Sequence, residues 1–128
     1  MIEKERSTGI VRTMKIDILT KNIDLDEPLR VFVNEKIGGL EHFLKSFGDT
    51  DEIYARVEIG KSSKHHNKGP FFYAETNIHI GQGQVLFRGQ SEREVLRDAI
   101  TEVKNELQTQ IRRYKDKMTE KDRKPREI

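Results

Sequence analysis

The chain has 128 residues, of which 34% are hydrophobic and 36% charged, with no cysteine and a formal net charge of +2. That is room for one modest core beneath a heavily charged surface, and the absence of cysteine excludes both a disulfide framework and a thiolate metal site. Apolar runs of only a few residues, and a charged start at Met1-Ile2-Glu3-Lys4-Glu5-Arg6, exclude a membrane-spanning helix and a signal peptide, so the expected setting is cytoplasmic.

Residues 1–13 are charged and lack periodicity, and read as a flexible extension, with Met14 a second candidate start. Met14 to Thr20 alternates about Ile16 and Ile18 and reads as a first strand. Asp26 is placed to cap a helix, with Glu27 and Pro28 in its first turn, where proline's missing N–H costs nothing. Leu29, Phe32, Val33, Ile37, Leu40, Leu44 and Phe47 then form a helical stripe about five turns long, interrupted by Gly38-Gly39, which predicts a bend or close packing against the sheet. Ile53 to Ile59 and Phe72 to Ile80 alternate as two further strands, and Gln84 to Gly89 gives a short fourth after the turn Gly81-Gln82-Gly83. Ser91 with Glu94 three positions on is a capping-box pattern, predicted to open a long helix through Met118. The expected architecture is α+β: a two-layer sandwich of order β-α-β-β-β-α, a four-stranded sheet with both helices on one face, over residues 14–118, followed by a charged tail at 119–128.

Charge is segregated along this frame. Residues 41–60 carry two basic side chains against five acidic, residues 112–127 carry eight basic against four acidic, and Lys61, Lys64 and Lys68 fall in an acid-free segment joining the second and third strands. On the last helix Leu96, Ile100, Val103, Leu107, Ile111, Tyr114 and Met118 share one side, while Glu94, Asp98, Glu102 and Glu106 fall opposite. Arg93, Arg97, Lys104, Arg112 and Lys115 flank the apolar stripe, and Arg112, Arg113, Lys115 and Lys117 crowd the final turns. Such a stripe suits a row of phosphates, and it equally suits an ordinary solvated helix; on periodicity alone the second reading is the default. The Lys61–Lys68 segment likewise reads as a groove-probing loop or as a plain polar connector. Tyr54 and Tyr73 on the polar strand face could stack bases or pack beneath longer neighbours.

Enzyme and cofactor signals are poor. Gly81-Gln82-Gly83 has Leu86 where a dinucleotide fingerprint needs its third glycine, and it joins strand to strand. Adjacent His65 and His66 diverge in an extended segment and have no third ligand nearby, so no metal and no cofactor is expected.

The pattern Ile18-Leu-Thr-Lys-Asn-Ile-Asp-Leu-Asp26, the helix Leu29 to Lys36 with Leu40-Glu41, the three-strand stretch, and Ala99-Ile100 through Leu107 to the run Gln110-Ile-Arg-Arg-Tyr-Lys-Asp-Lys117 resemble the bacterial ribosome hibernation-promoting factor and ribosome-associated inhibitor family, also called sigma-54 modulation proteins, in a short form. The resemblance implies a fold similar to a double-stranded RNA-binding domain, seated in the messenger and transfer RNA channel of the small ribosomal subunit and stopping translation by occupancy, without catalysis. It implies that Lys21, Lys36, Arg88, Arg112, Arg113, Lys115 and Lys117 face ribosomal RNA; no membrane or small-molecule partner is expected, and the oligomeric state stays open with a monomer favoured. Three positions depart from the family's habit: Arg97 stands for a tyrosine, Thr101 for an aspartate and Glu106 for a lysine. Two other readings stay open, an RNA-binding module acting off the ribosome and a protein that pairs through sheet edges. The ribosomal reading expects the last helix and the Lys61–Lys68 segment to converge into one cationic surface.

Overall fold

The computed structural model describes residues 14–45, 53–62, 71–80 and 84–123. The elements in chain order are β1 (Lys15–Lys21), α1 (Glu27–Gly38), α2 (Glu41–Leu44), β2 (Ile53–Lys61), β3 (Phe72–Ile80), β4 (Gln84–Arg93) and α3 (Leu96–Arg123). They form one four-stranded sheet of order β1-β2-β3-β4, in which β1 runs parallel to β2 and the remaining pairs are antiparallel. The expected α+β architecture is therefore present.

Alternation decides the sheet's two faces. Ala55, Val57 and Ile59 of β2, Ala74, Thr76 and Ile78 of β3 and Phe87 of β4 are buried, with Ile16 and Ile18 of β1 packed at the margin. α3 lies over β4 and β3 and meets α1, which packs beside β1. Leu29, Val33 and Ile37 from α1, Leu40 and Leu44, and Ala99, Ile100, Val103, Leu107 and Ile111 from α3 complete this core. Burying an aliphatic side chain of this size stabilises by roughly 1.5–3 kcal/mol, so the helical layer is held by its apolar stripes.

Asp26 caps α1 as expected, its Oδ1 accepting from the Leu29 amide at 2.9 Å. The five-turn helix divides instead of bending: α1 ends at Gly38, and α2 resumes for a single turn. A Cβ on Gly38 would lie 3.6 Å from Ile16 Cδ1, so the glycine pair marks where the first helix touches the sheet.

Ser91 does not cap the last helix. β4 continues through Arg93, Ser91 sits opposite Ala74, and its hydroxyl donates to Glu102 of α3. The sheet ladder outcompetes the local capping box, and α3 begins at Leu96, where Val95 O accepts from the Asp98 and Ala99 amides. α3 also runs past Met118 to Arg123, through five residues assigned to the tail, with Thr119 Oγ1 bonded back to Lys115 O at 3.0 Å.

Two glycines are required by close approach. At Gly89 a Cβ would stand 3.3 Å from Leu107 Cγ and 3.4 Å from Val103 Cγ1, so α3 rests directly on the β4 backbone. At Gly60 a Cβ would collide with the Lys21 carbonyl oxygen across the parallel β1–β2 pair. Gly60→Ala must push the two strands apart and is expected to cost about 1–3 kcal/mol, read as a lower urea midpoint with an unchanged slope; an unchanged midpoint would contradict this packing.

Candidate nucleic-acid interface

The contact of Val103 and Leu107 with Gly89 fixes how α3 is rotated, and rotation sorts its charges. At about 100° per residue, Glu102, Glu106 and Gln110 fall on the flank toward β4, while Arg97, Lys104, Arg112 and Lys115 fall on the flank toward α1 and α2.

On the β4 flank the polar groups are consumed by the sheet. Gln110 Nε2 donates to Arg88 O at 2.7 Å, and its Oε1 accepts from the Arg88 amide at 3.3 Å. Glu106 Oε1 accepts from the Gln90 amide at 3.4 Å, and its other oxygen accepts from Gln110 at 3.4 Å. Glu102 accepts from Ser91 and pairs with Arg93. These two contacts, the Ser91 hydroxyl first, hold its carboxyl below the usual carboxylate range. A row of α3 side chains thus fills the hydrogen-bonding edge of β4, where another strand would have to pair.

On the α1 flank two cations meet one aromatic ring. Arg97 Cζ stands 4.7 Å from the centroid of Phe32, and Lys36 Nζ stands 5.6 Å from the same ring. Among the described residues, Lys36, Arg97, Lys104 and Arg112 form no ion pair. Between α1 and α3, four positive side chains thus stand without an ion-pair partner among the described residues.

The open face of the sheet is different. Its transverse rows read Asp17, Arg56, Asn77, Arg88 and, beside them, Leu19, Glu58, Glu75, Gln90, so cations alternate with carboxylates. Lys21 lies 3.5 Å from Glu58, and Arg88 Nε donates to Asn77 Oδ1 at 2.8 Å. Tyr73 donates to Glu58 at 2.6 Å, and Tyr54 stacks on His79 with centroids 4.7 Å apart and planes 4° from parallel. Both tyrosines are engaged by neighbours on their own sheet.

The twelve expected contact residues therefore do not form one surface. Lys36 lies on α1, and Lys104, Arg112 and Lys115 fall by helical angle on the α3 flank toward α1 and α2. Arg113 and Lys117 turn toward the β4 flank beyond Gln110. Lys21 and Arg88 lie on the opposite side of the sheet, and Arg93 is paired with Glu102. Lys61 ends β2 opposite Phe72, at the end where α3 starts, so it stands far from the closing turns of α3. Lys64, Lys68, His65 and His66 lie outside the described residues. Lys61 thus stands at the end where the last helix begins, and the rest of the segment expected to converge with that helix lies outside the described residues. Gln110 escaped sequence reasoning as a structural residue, since nothing local marks a side chain that serves a strand 22 residues away. Among the described residues no cluster of three or more potential metal ligands occurs, and no helix is long and apolar enough to cross a membrane.

Residues 16–119 match the family described as Sigma 54 modulation protein / S30EA ribosomal protein. The chain is similar to a ribosome hibernation promotion factor of Lactococcus lactis subsp. cremoris, with 27% identity over 110 residues, covering 86% of this chain and 54% of that protein. It thus spans about half the length of this curated relative. Its fold is similar to the crystal structure of the Thermus thermophilus Protein Y N-terminal domain, with a TM-score of 0.61 and 22% identity over 79% of this chain and 99% of that one. It is also similar to a ribosomal subunit interface protein from Coxiella burnetii, with a TM-score of 0.56 and 19% identity over 80% and 99% of the two chains.

The Tyr73–Glu58–Lys21 contact sets a pH dependence. The Tyr73 hydroxyl, helped by Lys21, holds the Glu58 carboxyl below its ordinary value, so its stabilisation is present above that value and is lost as pH falls through the lowered one. Burial, then Glu58, pushes the Tyr73 phenol from 10.0 up to about 12, so its contribution is complete below 10.0 and is lost as pH rises through about 12. Tyr73→Phe is expected to cost about 1 kcal/mol at neutral pH, with the gap to wild type narrowing in acid as Glu58 protonates. A gap that stays constant in urea titrations from neutral to acid pH would show that the pair does not couple.

Proposed function

The chain belongs to the sigma 54 modulation / S30EA ribosomal protein family, and from that premise we propose that it is a ribosome-binding translation inhibitor of the hibernation kind. In this reading it occupies the messenger and transfer RNA channel of the small subunit, contacts ribosomal RNA, and inactivates or stores ribosomes in the cytoplasm without chemistry of its own.

The observation that carries the reading is the sorting of charge by α3: Glu102 and Glu106 turned onto β4, and Arg97, Lys104 and Arg112 on the α1 flank without an ion pair among the described residues. Positive side chains on a rigid scaffold gain affinity for structured RNA by releasing its condensed counterions, with little need to read bases. Lys36, Lys104, Arg112, Arg113, Lys115 and Lys117 are the proposed contacts. Lys21, Arg88 and Arg93 have internal partners and are given structural roles. Pairing through the β4 edge is disfavoured because Gln110 and Glu106 already occupy it.

The test is co-sedimentation with small ribosomal subunits across a salt series. Wild type is expected to pellet with subunits at low salt and to lose affinity linearly in the logarithm of salt. Replacing Arg112, Arg113, Lys115 and Lys117 together with Gln should flatten that slope by about 3–4 units, at about 0.9 for each phosphate left unneutralised, and abolish inhibition of cell-free translation. Absence of wild-type binding at low salt, or equal affinity for plain duplex RNA, would contradict the ribosomal assignment.

A further inference from the structure

Arg97 and Lys36 come from different helices, 61 positions apart in sequence, and meet on one aromatic ring. With Arg97 Cζ 4.7 Å and Lys36 Nζ 5.6 Å from the Phe32 centroid, the two positive centres are no farther apart than those distances combined. Neither forms an ion pair among the described residues, although Asp26 and Glu94 line the same cavity as Arg97, Glu27 and Glu35 stand on the same helix as Lys36, and Glu27 is paired with Arg30. Two like charges that share one ring and form no ion pair repel one another, and an anion between them relieves that repulsion. The ring also restricts the guanidinium and the ammonium before any ligand arrives, so less side-chain entropy is lost on binding.

We propose that Arg97 and Lys36, assembled on Phe32, form a phosphate clamp for the phosphodiester backbone of folded RNA. It is a second anchor, at the opposite end of α3 from the cluster at Arg112 to Lys117. The inference rests on the ribosomal reading and adds a contact at Arg97. Arg97 and Arg112 are 15 residues apart on one helix, so the two anchors are separated by about 23 Å. Lys104 lies between them on the same flank. Two anchors joined by one rigid helix fix the direction in which the domain lies along RNA, which a single cluster at one end does not.

The test uses the full chain and small ribosomal subunits in the same salt series, with Arg97→Gln, Lys36→Gln and Phe32→Leu, the last keeping an apolar side chain against the core while removing the aromatic face. Arg97→Gln and Lys36→Gln are each expected to weaken binding three- to tenfold at low salt and to flatten the log–log slope by about 0.9, the value for a single phosphate. Phe32→Leu is expected to weaken binding while leaving the slope near wild type, because both charges remain but are no longer held. Circular dichroism melts of all three variants identify any that fail to fold, and Arg97→Lys serves as a conservative variant that keeps the slope. If Arg97→Gln and Lys36→Gln fold and bind with wild-type affinity and slope while the fourfold Gln variant of Arg112, Arg113, Lys115 and Lys117 is defective, the clamp is overturned and the ribosomal reading stands. If wild type itself does not bind subunits, both are overturned.

Discussion

The seating of α3 on β4 is the constraint from which the other features follow. Gly89 lets Val103 and Leu107 approach the strand backbone, and the buried line Ala99, Ile100, Val103, Leu107 and Ile111 allows one rotation of the helix only. Rotated by one residue in either direction, that line would leave the core and put charge into it, at a cost of several kcal/mol. With the rotation fixed, every polar position on α3 has an assigned direction. Gln110, Glu106 and Glu102 serve β4, and Arg97, Lys104 and Arg112 fall on the flank toward α1.

Electrostatics then separates two kinds of cation. Those on the sheet and at its ends stand among carboxylates or amides, as Lys21 does with Glu58, Arg88 with Asn77 and Arg93 with Glu102. Exposed pairs of this sort add little stability, but they lower the positive potential around them. Lys36, Arg97, Lys104 and Arg112 have no such partner among the described residues. A net charge of only +2 is therefore compatible with a local run of cations that have no ion-pair partner among the described residues. Glu106 belongs to this division: it accepts from the Gln90 amide at the edge of β4.

Much of the fold was legible because periodicity reports directly on burial. Ile53 to Ile59 and Phe72 to Ile80 alternate as strands should, Asp26 caps as its position predicts, and the apolar stripe of the last helix is the stripe that is buried. What failed were features decided by distant partners. Ser91 and Glu94 look like a capping box, but ladder bonds from β3 reach Ser91 and keep it extended. The glycine pair at 38–39 announced an interruption without saying that the helix would divide there. The candidate site was half legible. Helical periodicity assigns each cation its angle around α3, but not which face of the sheet lies behind it, so the sequence does not show that Lys21 and Arg88 lie on the side of the sheet away from α3. The meeting of Phe32, Lys36 and Arg97 needed the packing of α1 against α3, which no local pattern encodes.

In the ribosomal reading the helical side, and not the open sheet face, meets RNA. Lysine acetylation footprinting of the chain, free and bound to small ribosomal subunits, tests this most directly. Lys36 and Lys104 are expected to become protected on binding while Lys15 and Lys21 keep their free-state reactivity. Protection of Lys15 and Lys21 with Lys36 and Lys104 still reactive would contradict the account.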